Sequence, residues 1–305
     1  MDVINLLAPL FLIIALGAVL QRVGMLPVDA VGVINRLLFR VGLPAAVFHA
    51  LVSAQKSTEG FGLLLIVMAG ATLINLAWSW WEAPWLGVAP GSRGTFVQAA
   101  FRGNLSFIGL PLLLTVPGVP LGQTMLAFAP MLILHNAATV IVLLASQPTS
   151  GEAMLKRVLT GIVSNPIIVA SVAGVVANAA GWTPPVAVMV TLQSLARMAL
   201  PLALLCIGAA LMRVPVGGNR RLPSLAALHK SVLSPLIGYG LARWLGLEDG
   251  ALLAGLICLA CPTAAVSYTM AKEMGGDENL AASAVVYSAA ASGVTLAIVI
   301  AMFAA

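Results

Sequence analysis

Charge is scarce in this chain. Asp, Glu, Lys and Arg make up 8% of its 305 residues and hydrophobic residues 61%, whereas a soluble domain carries about 25% charged residues. So sparse a set cannot clothe a water-exposed surface, which excludes an ordinary soluble domain anywhere along the chain. The acidic residues, Asp2, Asp29, Glu59, Glu82, Glu152, Glu248, Asp249, Glu273, Asp277 and Glu278, all fall between apolar runs or at their ends. That placement excludes a buried carboxylate pair for catalysis and a carboxylate-based proton or sodium site at membrane depth. Cysteine is scarce too: Cys206, Cys258 and Cys261 are an odd count inside apolar runs, so no disulfide framework is implied. The Cys258–Cys261 spacing reads as two small packing residues on one helix in preference to a metal or redox pair. There is no HExxH and no GxSxG, so the sequence offers no signature of an enzyme, a metal centre or a cofactor. The formal charge of +5 comes from scattered basic residues without an aromatic-interleaved patch, and nucleic acid is not an expected partner.

What is present is apolar length. Runs of about 20 residues, each able to cross a hydrocarbon core of about 30 Å as a helix, recur throughout, so the expected solvent is a lipid bilayer and the expected class an all-α membrane protein. Ten spans are predicted, at roughly 3–22, 28–53, 60–81, 92–115, 120–146, 158–180, 184–212, 222–245, 250–273 and 278–303, joined by short turns rich in glycine and proline. The first run follows Met1 and Asp2 with no basic leader and is expected to stay in place as a span. Arg22, Arg93, Lys156, Arg157, Arg213, Arg220, Arg221 and Lys272 gather on one side, against Lys56 and Arg243 on the other. The richer side is expected to be cytoplasmic, which places both termini outside, in a plasma or bacterial inner membrane. Arg36, Arg40, Arg102, Arg197 and Lys230 remain within spans; Arg36 and Lys230, near the cytoplasmic ends, are expected to snorkel.

Sliding the sequence over itself by 157 residues superposes Pro9 on Pro166, Gly17 on Gly174, Gly24 on Gly181, Pro27 on Pro184, Arg40 on Arg197 and Pro44 on Pro201. Chance matches between apolar runs would favour Leu, Val and Ala, not Pro, Gly and Arg. The register predicts two five-span halves, 1–147 and 158–305, joined by a cytoplasmic linker at 148–157. An odd number of spans per half reverses the second in the bilayer, giving a 5+5 inverted repeat. That is the plan of many secondary transporters, with substrate held near the midplane by broken helices from both halves.

The fourth span contains AFRGNLSFIGLP, which puts Arg102, Gly103, Asn104, Ser106 and Gly109 mid-crossing ahead of Pro111. Glycine and proline make this a poor continuous helix. The same register places Asn104 on Cys261, so the ninth span should break within ACPTAAVSYT, around Pro262. Unwound backbone survives at membrane depth only beside protein or a watery cavity, and half-helix N-termini facing such a cavity suit a carboxylate. Asn104, Ser106 and Thr263 could add neutral hydrogen bonds there or simply satisfy backbone. Arg102 would either supply a full charge or close the site by pairing with freed carbonyls. Arg40 and Arg197 each precede a proline by four residues and are read as bonding the carbonyls that Pro44 and Pro201 release, with proton transfer or gating as the functional alternative. His135 and Asn136 lie together at mid-depth of the fifth span; Asn136 is a candidate substrate ligand, and His135 either a titrating group or a satisfied interior histidine.

The segments GAVLQRVGMLP, FRGNLSFIGLPL, SNPIIVASVAGVVAN, PLALLCIGAAL and CPTAAVSYTMAKEMGGDENLAAS closely resemble the auxin efflux carrier family, over nearly the whole chain. The resemblance implies ten helices related to the bile acid:sodium symporter and sodium–proton antiporter folds, with broken helices 4 and 9 crossing at the site. It implies a scaffold of helices 1, 2, 6 and 7 and a transport unit of helices 3–5 and 8–10 that moves in an elevator-type mechanism. It also implies that Asn104 and the stretch to Pro111 form the fourth-helix crossover and Pro262 with its neighbours the ninth, with hinges at Gly109, Pro111 and Pro262, and a homodimer. Together with the residues read above, the candidate substrate contacts are Arg102, Gly103, Asn104, Ser106, Ile108, Asn136, Cys261, Pro262, Thr263 and Ala264. The expected cargo is a small organic anion such as malonate, malate or an auxin-like acid. The short Gln147–Arg157 connection, where plant carriers have a long loop, favours a bacterial dicarboxylate-type permease. A sodium-coupled organic anion symporter and a transport-derived sensor are the alternative expectations.

Overall fold

A computed structural model describes residues 3–53, 60–147, 166–212 and 220–303; among them the chain is helical, with one isolated β-bridge. The helices are α1 (Val3–Arg22), α2 (Val28–Leu37), α3 (Leu43–Ser53), α4 (Phe61–Glu82), α5 (Pro90–Phe101), α6 (Leu110–Leu113), α7 (Leu121–Ala145), α8 (Pro166–Ala179), α9 (Val186–Leu211), α10 (Arg221–Leu228), α11 (Ser234–Leu245), α12 (Asp249–Ala260), α13 (Val266–Glu273) and α14 (Glu278–Phe303). Among the described residues, five segments are long and apolar enough to cross a membrane unbroken: Val28–Ser53, Phe61–Glu82, Leu121–Ala145, Val186–Cys206 and Glu278–Phe303. Helix also lies on the other apolar stretches, in shorter pieces. The 148–157 linker, Lys56, Lys156, Arg157 and Arg213 fall outside the described residues. Asp29, Asp249 and Glu278 sit in the first turns of α2, α12 and α14, where negative charge complements the helix dipole.

Among the described residues, three helical runs contain a π turn: Leu38–Gly42, Leu105–Gly109 and His229–Leu233, each ending two residues before a proline, namely Pro44, Pro111 and Pro235. The cause is local. Proline offers no N–H to the carbonyl four residues back, and its ring collides with that carbonyl. Widening the preceding turn, through bonds from Leu43 N to Leu38 O, Leu110 N to Leu105 O and Ser234 N to His229 O, moves the obstructing carbonyl aside while keeping the ladder paired. Pro201, which aligns with Pro44 in the sequence, sits instead in the continuous α-helix α9.

Two groups of helices pack tightly within themselves. α1 runs along α9 and α3 lies against α8 and α9, while α4 packs on α7, α5 and α11, and α5 on α7, α10 and α14. In lipid, helices gain most from close backbone approach at small residues, and α1 and α9 use it fully. A Cβ built on Gly17 would lie 2.2 Å from Leu205 O, and one on Gly208 1.9 Å from Ile14 O. Among the described residues, six of the seven positive-φ glycines fall into pairs at helix ends, Gly24 with Gly181, Gly87 with Gly246 and Gly118 with Gly275, spaced by 157, 159 and 157 residues.

Candidate functional site

α5 and α12 are both twelve residues long, and their first and last residues are each 159 apart. Each stops inside the protein, where Arg102 (φ −77°, ψ 99°) and Cys261 (φ −54°, ψ 142°) turn the chain extended. The two extended stretches then satisfy one another. Asn104 N donates to Pro262 O at 2.7 Å and Ala264 N to Arg102 O at 3.0 Å, so that Gly103 and Thr263 face each other in an antiparallel bridge. Backbone unwound in the interior costs several kcal/mol per unpaired group, and the crossing offsets part of that through these two bonds. It corrects the 157-residue register at this point: at 159, Asn104 corresponds to Thr263 rather than to Cys261.

Side chains close the rest of the account. Thr263 Oγ1 donates to Ala99 O at 2.7 Å, and Asn75 Nδ2 from α4 donates to Ala100 O at 2.8 Å, together covering the carbonyl end of α5. Thr263 N donates to Ser288 Oγ of α14 at 2.9 Å. Asn104 Oδ1 accepts from Phe107 N at 3.3 Å, capping the π turn that begins the second half-helix. Its NH2 group has no partner among the described residues. Thr263, Cys261, Pro262, Ala264, Gly103 and Asn104 are all buried, whereas Ser106, Phe107 and Ile108 are half-buried and Ala265 and Val266 are exposed. Gly109 lies at the contact with the opposite break, where a Cβ would sit 3.2 Å from Cys261 Sγ. Thr263→Val, which keeps the shape and removes the bond to Ala99 O, should lower stability by about 1–3 kcal/mol, read as a fall in the thermal unfolding midpoint of purified protein; an unchanged midpoint would show that bond to be idle.

The buried cations are the chief electrostatic feature. Arg102, 6% exposed, donates from Nη2 to Asn136 Oδ1 and from Nη1 to Met270 Sδ, both at 2.7 Å. It therefore bonds side chains of α7 and α13, not helix carbonyls. Lys230, 1% exposed on the π turn between α10 and α11, donates to Leu259 O. The snorkelling expected of it from its place in the sequence is overturned: its ammonium points inward to the crossing. His135, 5% exposed, bonds the Gly103 backbone and meets the Phe101 ring edge-on at 6.0 Å, with Nε2 unpartnered. Arg40 and Arg197 stand apart from this centre. Both are exposed, and neither makes a hydrogen bond or ion pair to a described residue. The carbonyl displaced by Pro44 is accommodated by the π turn itself, so the bonding assigned to Arg40 in the sequence is not what the backbone uses.

Over residues 2–149 and 134–300 the chain matches the family described as membrane transport protein. The chain belongs to that family. A comparison with curated proteins finds no match. Members of the family are membrane transport proteins, and in this chain the two broken helices bring polar groups together inside an apolar body. Two residues at this centre escape a reading of motifs. Asn75 and Lys230 stand alone in apolar runs, and the signal available was only that a polar group deep in a span must have a partner.

Proposed function

We propose that this membrane protein is a secondary transporter of small organic anions, mono- or dicarboxylates such as malonate, malate or auxin-like acids, working by elevator-type alternating access. The observation that carries the reading is the hydrogen-bonded crossing of Arg102–Asn104 with Pro262–Ala264. Beyond that crossing the chain re-enters helix at Leu105 and Val266. The amides of Phe107, Ile108, Gly109, Ser267 and Tyr268 are bonded within their own turns, which leaves those of Leu105, Ser106, Ala265 and Val266 without an acceptor among the described residues, as the first amides of a helix are. Those amides, the NH2 of Asn104 and the Arg102 guanidinium make a donor-rich centre with no carboxylate bonded in it among the described residues, a setting for an anion and not for a cation.

The ten-span inverted repeat supplies the mechanical half of the proposal. The three glycine pairs support it, as does a contact that recurs at the 157-residue offset: α1 meets α9 through Gly17 and Leu205, and α8 meets α3 through Gly174 and Phe48. Spans 1, 2, 6 and 7 form the scaffold and spans 3–5 and 8–10 the moving unit, in a homodimer in the inner membrane with both termini outside. In proteoliposomes loaded with labelled malonate, malate or an indole acid, the wild type should show counterflow with one of them. Asn104→Ala should cut that flux about tenfold, the equivalent of one lost hydrogen bond of about 1.4 kcal/mol, with membrane insertion unchanged. Wild-type flux in both Asn104→Ala and Pro262→Ala would reject this site.

A further inference from the structure

Lys230 has a place in the fold that transport of an anion does not by itself require. Its ammonium donates to Leu259 O, the carbonyl next to the end of α12. A Cβ built on Gly103 would lie 3.0 Å from Lys230 Cε, 3.3 Å from its Nζ and 3.3 Å from Cys258 O. The ammonium thus occupies the gap between the carbonyl end of one half-helix and the bare Cα of the opposite break. Cys258 and Leu259 belong to the last turn of α12, whose carbonyls have no helical N–H to accept, and the dipole there is negative. Neutral carbonyl oxygens at the C-terminal end of a broken helix are the ligand set that a transporter offers to a small monovalent cation. Here a side chain of the protein fills that set from the neighbouring span.

We infer that Lys230 is a tethered cation standing at the carbonyl end of α12 in the place of a freely exchanging monovalent ion, so that the crossing is held together without sodium. The π turn serves this arrangement. His229–Leu233 carries Lys230 at its second position and keeps Ser231 and Ser234 buried beside it, with Ser231 Oγ 2.9 Å from Ser292 Oγ of α14. The turn that carries Lys230 is thereby tied to α14 at the next residue. The groups that act on it electrostatically are His135, Cys258 and Cys261, and among the described residues no carboxylate pairs with the ammonium. Gly103 is bare because the lysine stem passes within contact distance of it.

The test uses full-length protein in detergent and in proteoliposomes. The wild type should show the same thermal unfolding midpoint, and the same flux, in sodium, potassium or choline chloride. Lys230→Ala leaves the carbonyls without their cation and opens a space one butylammonium arm deep. Its midpoint and flux should fall, the flux by about tenfold or more given the strength of buried charge-assisted bonds. Both should recover in ethylammonium or sodium but not in choline, which is too large to enter. Lys230→Met, which fills the space without charge, should be impaired and should not recover with any cation. A wild type stabilised by sodium over choline overturns the inference, and so does a folded Lys230→Ala protein indifferent to every cation or as active as the wild type. Should Lys230→Ala fail to fold, the comparison of wild-type midpoints in sodium and choline decides alone. The midpoint readings do not depend on the cargo, so they stand even if no organic anion is carried; failure of flux alone would count against the transport reading instead.

Discussion

Gly208→Val should yield almost no folded protein. The atoms a Cβ would meet are Ile14 O at 1.9 Å, Ile14 C at 2.8 Å and Ala18 N at 2.9 Å, all backbone of α1, so no rotamer change can relieve the clash. The reciprocal site is as tight, with Gly17 facing Leu205 O, C and Cα at 2.2, 2.8 and 2.8 Å. Separating the helices enough for a branched side chain would strip the contact along its length, and with no hydrophobic drive between helices in lipid nothing replaces it. Overpacking of a good core costs about 1–3 kcal/mol, and more where the obstacle is rigid. The expected result is loss of the monodisperse peak in fluorescence-detected size exclusion and a collapse of the unfolding midpoint in whatever protein survives. Gly62→Ala and Gly240→Ala, where nothing lies within 4 Å, should behave as wild type. Gly174→Ala should fall between, because it meets the Leu51 side chain, Cβ at 2.9 Å. A Gly208→Val protein that purifies and melts normally would show that α1 and α9 do not meet this way.

The helices were legible in the sequence because apolar length is a strong signal, and both breaks were legible because glycine, asparagine and proline crowd one place in an otherwise uniform run. The partner of each break was legible only to within two residues. Apolar helices tolerate an insertion at a span end without any trace in composition, and the spacing of the glycine pairs shifts from 157 to 159 and back. The π turns were not legible as such: Pro44 and Pro201 stand in nearly the same sequence, yet only the first is preceded by one. What separates them is tertiary. A Cβ built on Gly42 would lie 3.6 Å from Leu195 O and 3.8 Å from Ala199 Cβ, so the widened turn before Pro44 lies directly against α9, which itself runs through Pro201 as α-helix. Lys230 was misplaced for a related reason. Distance along a span predicts that a lysine can reach the interface, but whether it turns there depends on carbonyls freed in another helix far along the chain.

Arg102→Met should weaken binding of the carried anion by about 10- to 100-fold, the worth of one charge-assisted hydrogen bond at roughly 1.5–3 kcal/mol. The guanidinium is buried at the carbonyl end of α5, where the dipole favours a cation. Its protein partners are modest: one amide oxygen, Asn136 Oδ1, and one thioether, Met270 Sδ, each at 2.7 Å. Sulfur is a weak acceptor, and the fork has more N–H donors than these two partners use. A buried cation left short of acceptors is costly, and a carboxylate arriving between the half-helix ends would supply what is missing. Arg102→Lys should recover only part of the affinity, because an ammonium cannot hold Asn136 and a carboxylate in one plane. Asn136→Ala should cost less than Arg102→Met, and the double variant should cost less than the sum of the two, because Asn136 acts by orienting Arg102 and has nothing left to orient once it is gone. Equilibrium binding of the labelled acid to purified protein reads these differences directly, and the unfolding midpoint separates them from loss of fold. Strict additivity of the two substitutions would place Asn136 and Arg102 in independent roles, and an Arg102→Met protein with wild-type affinity would leave the buried guanidinium as a purely structural link between α5, α7 and α13.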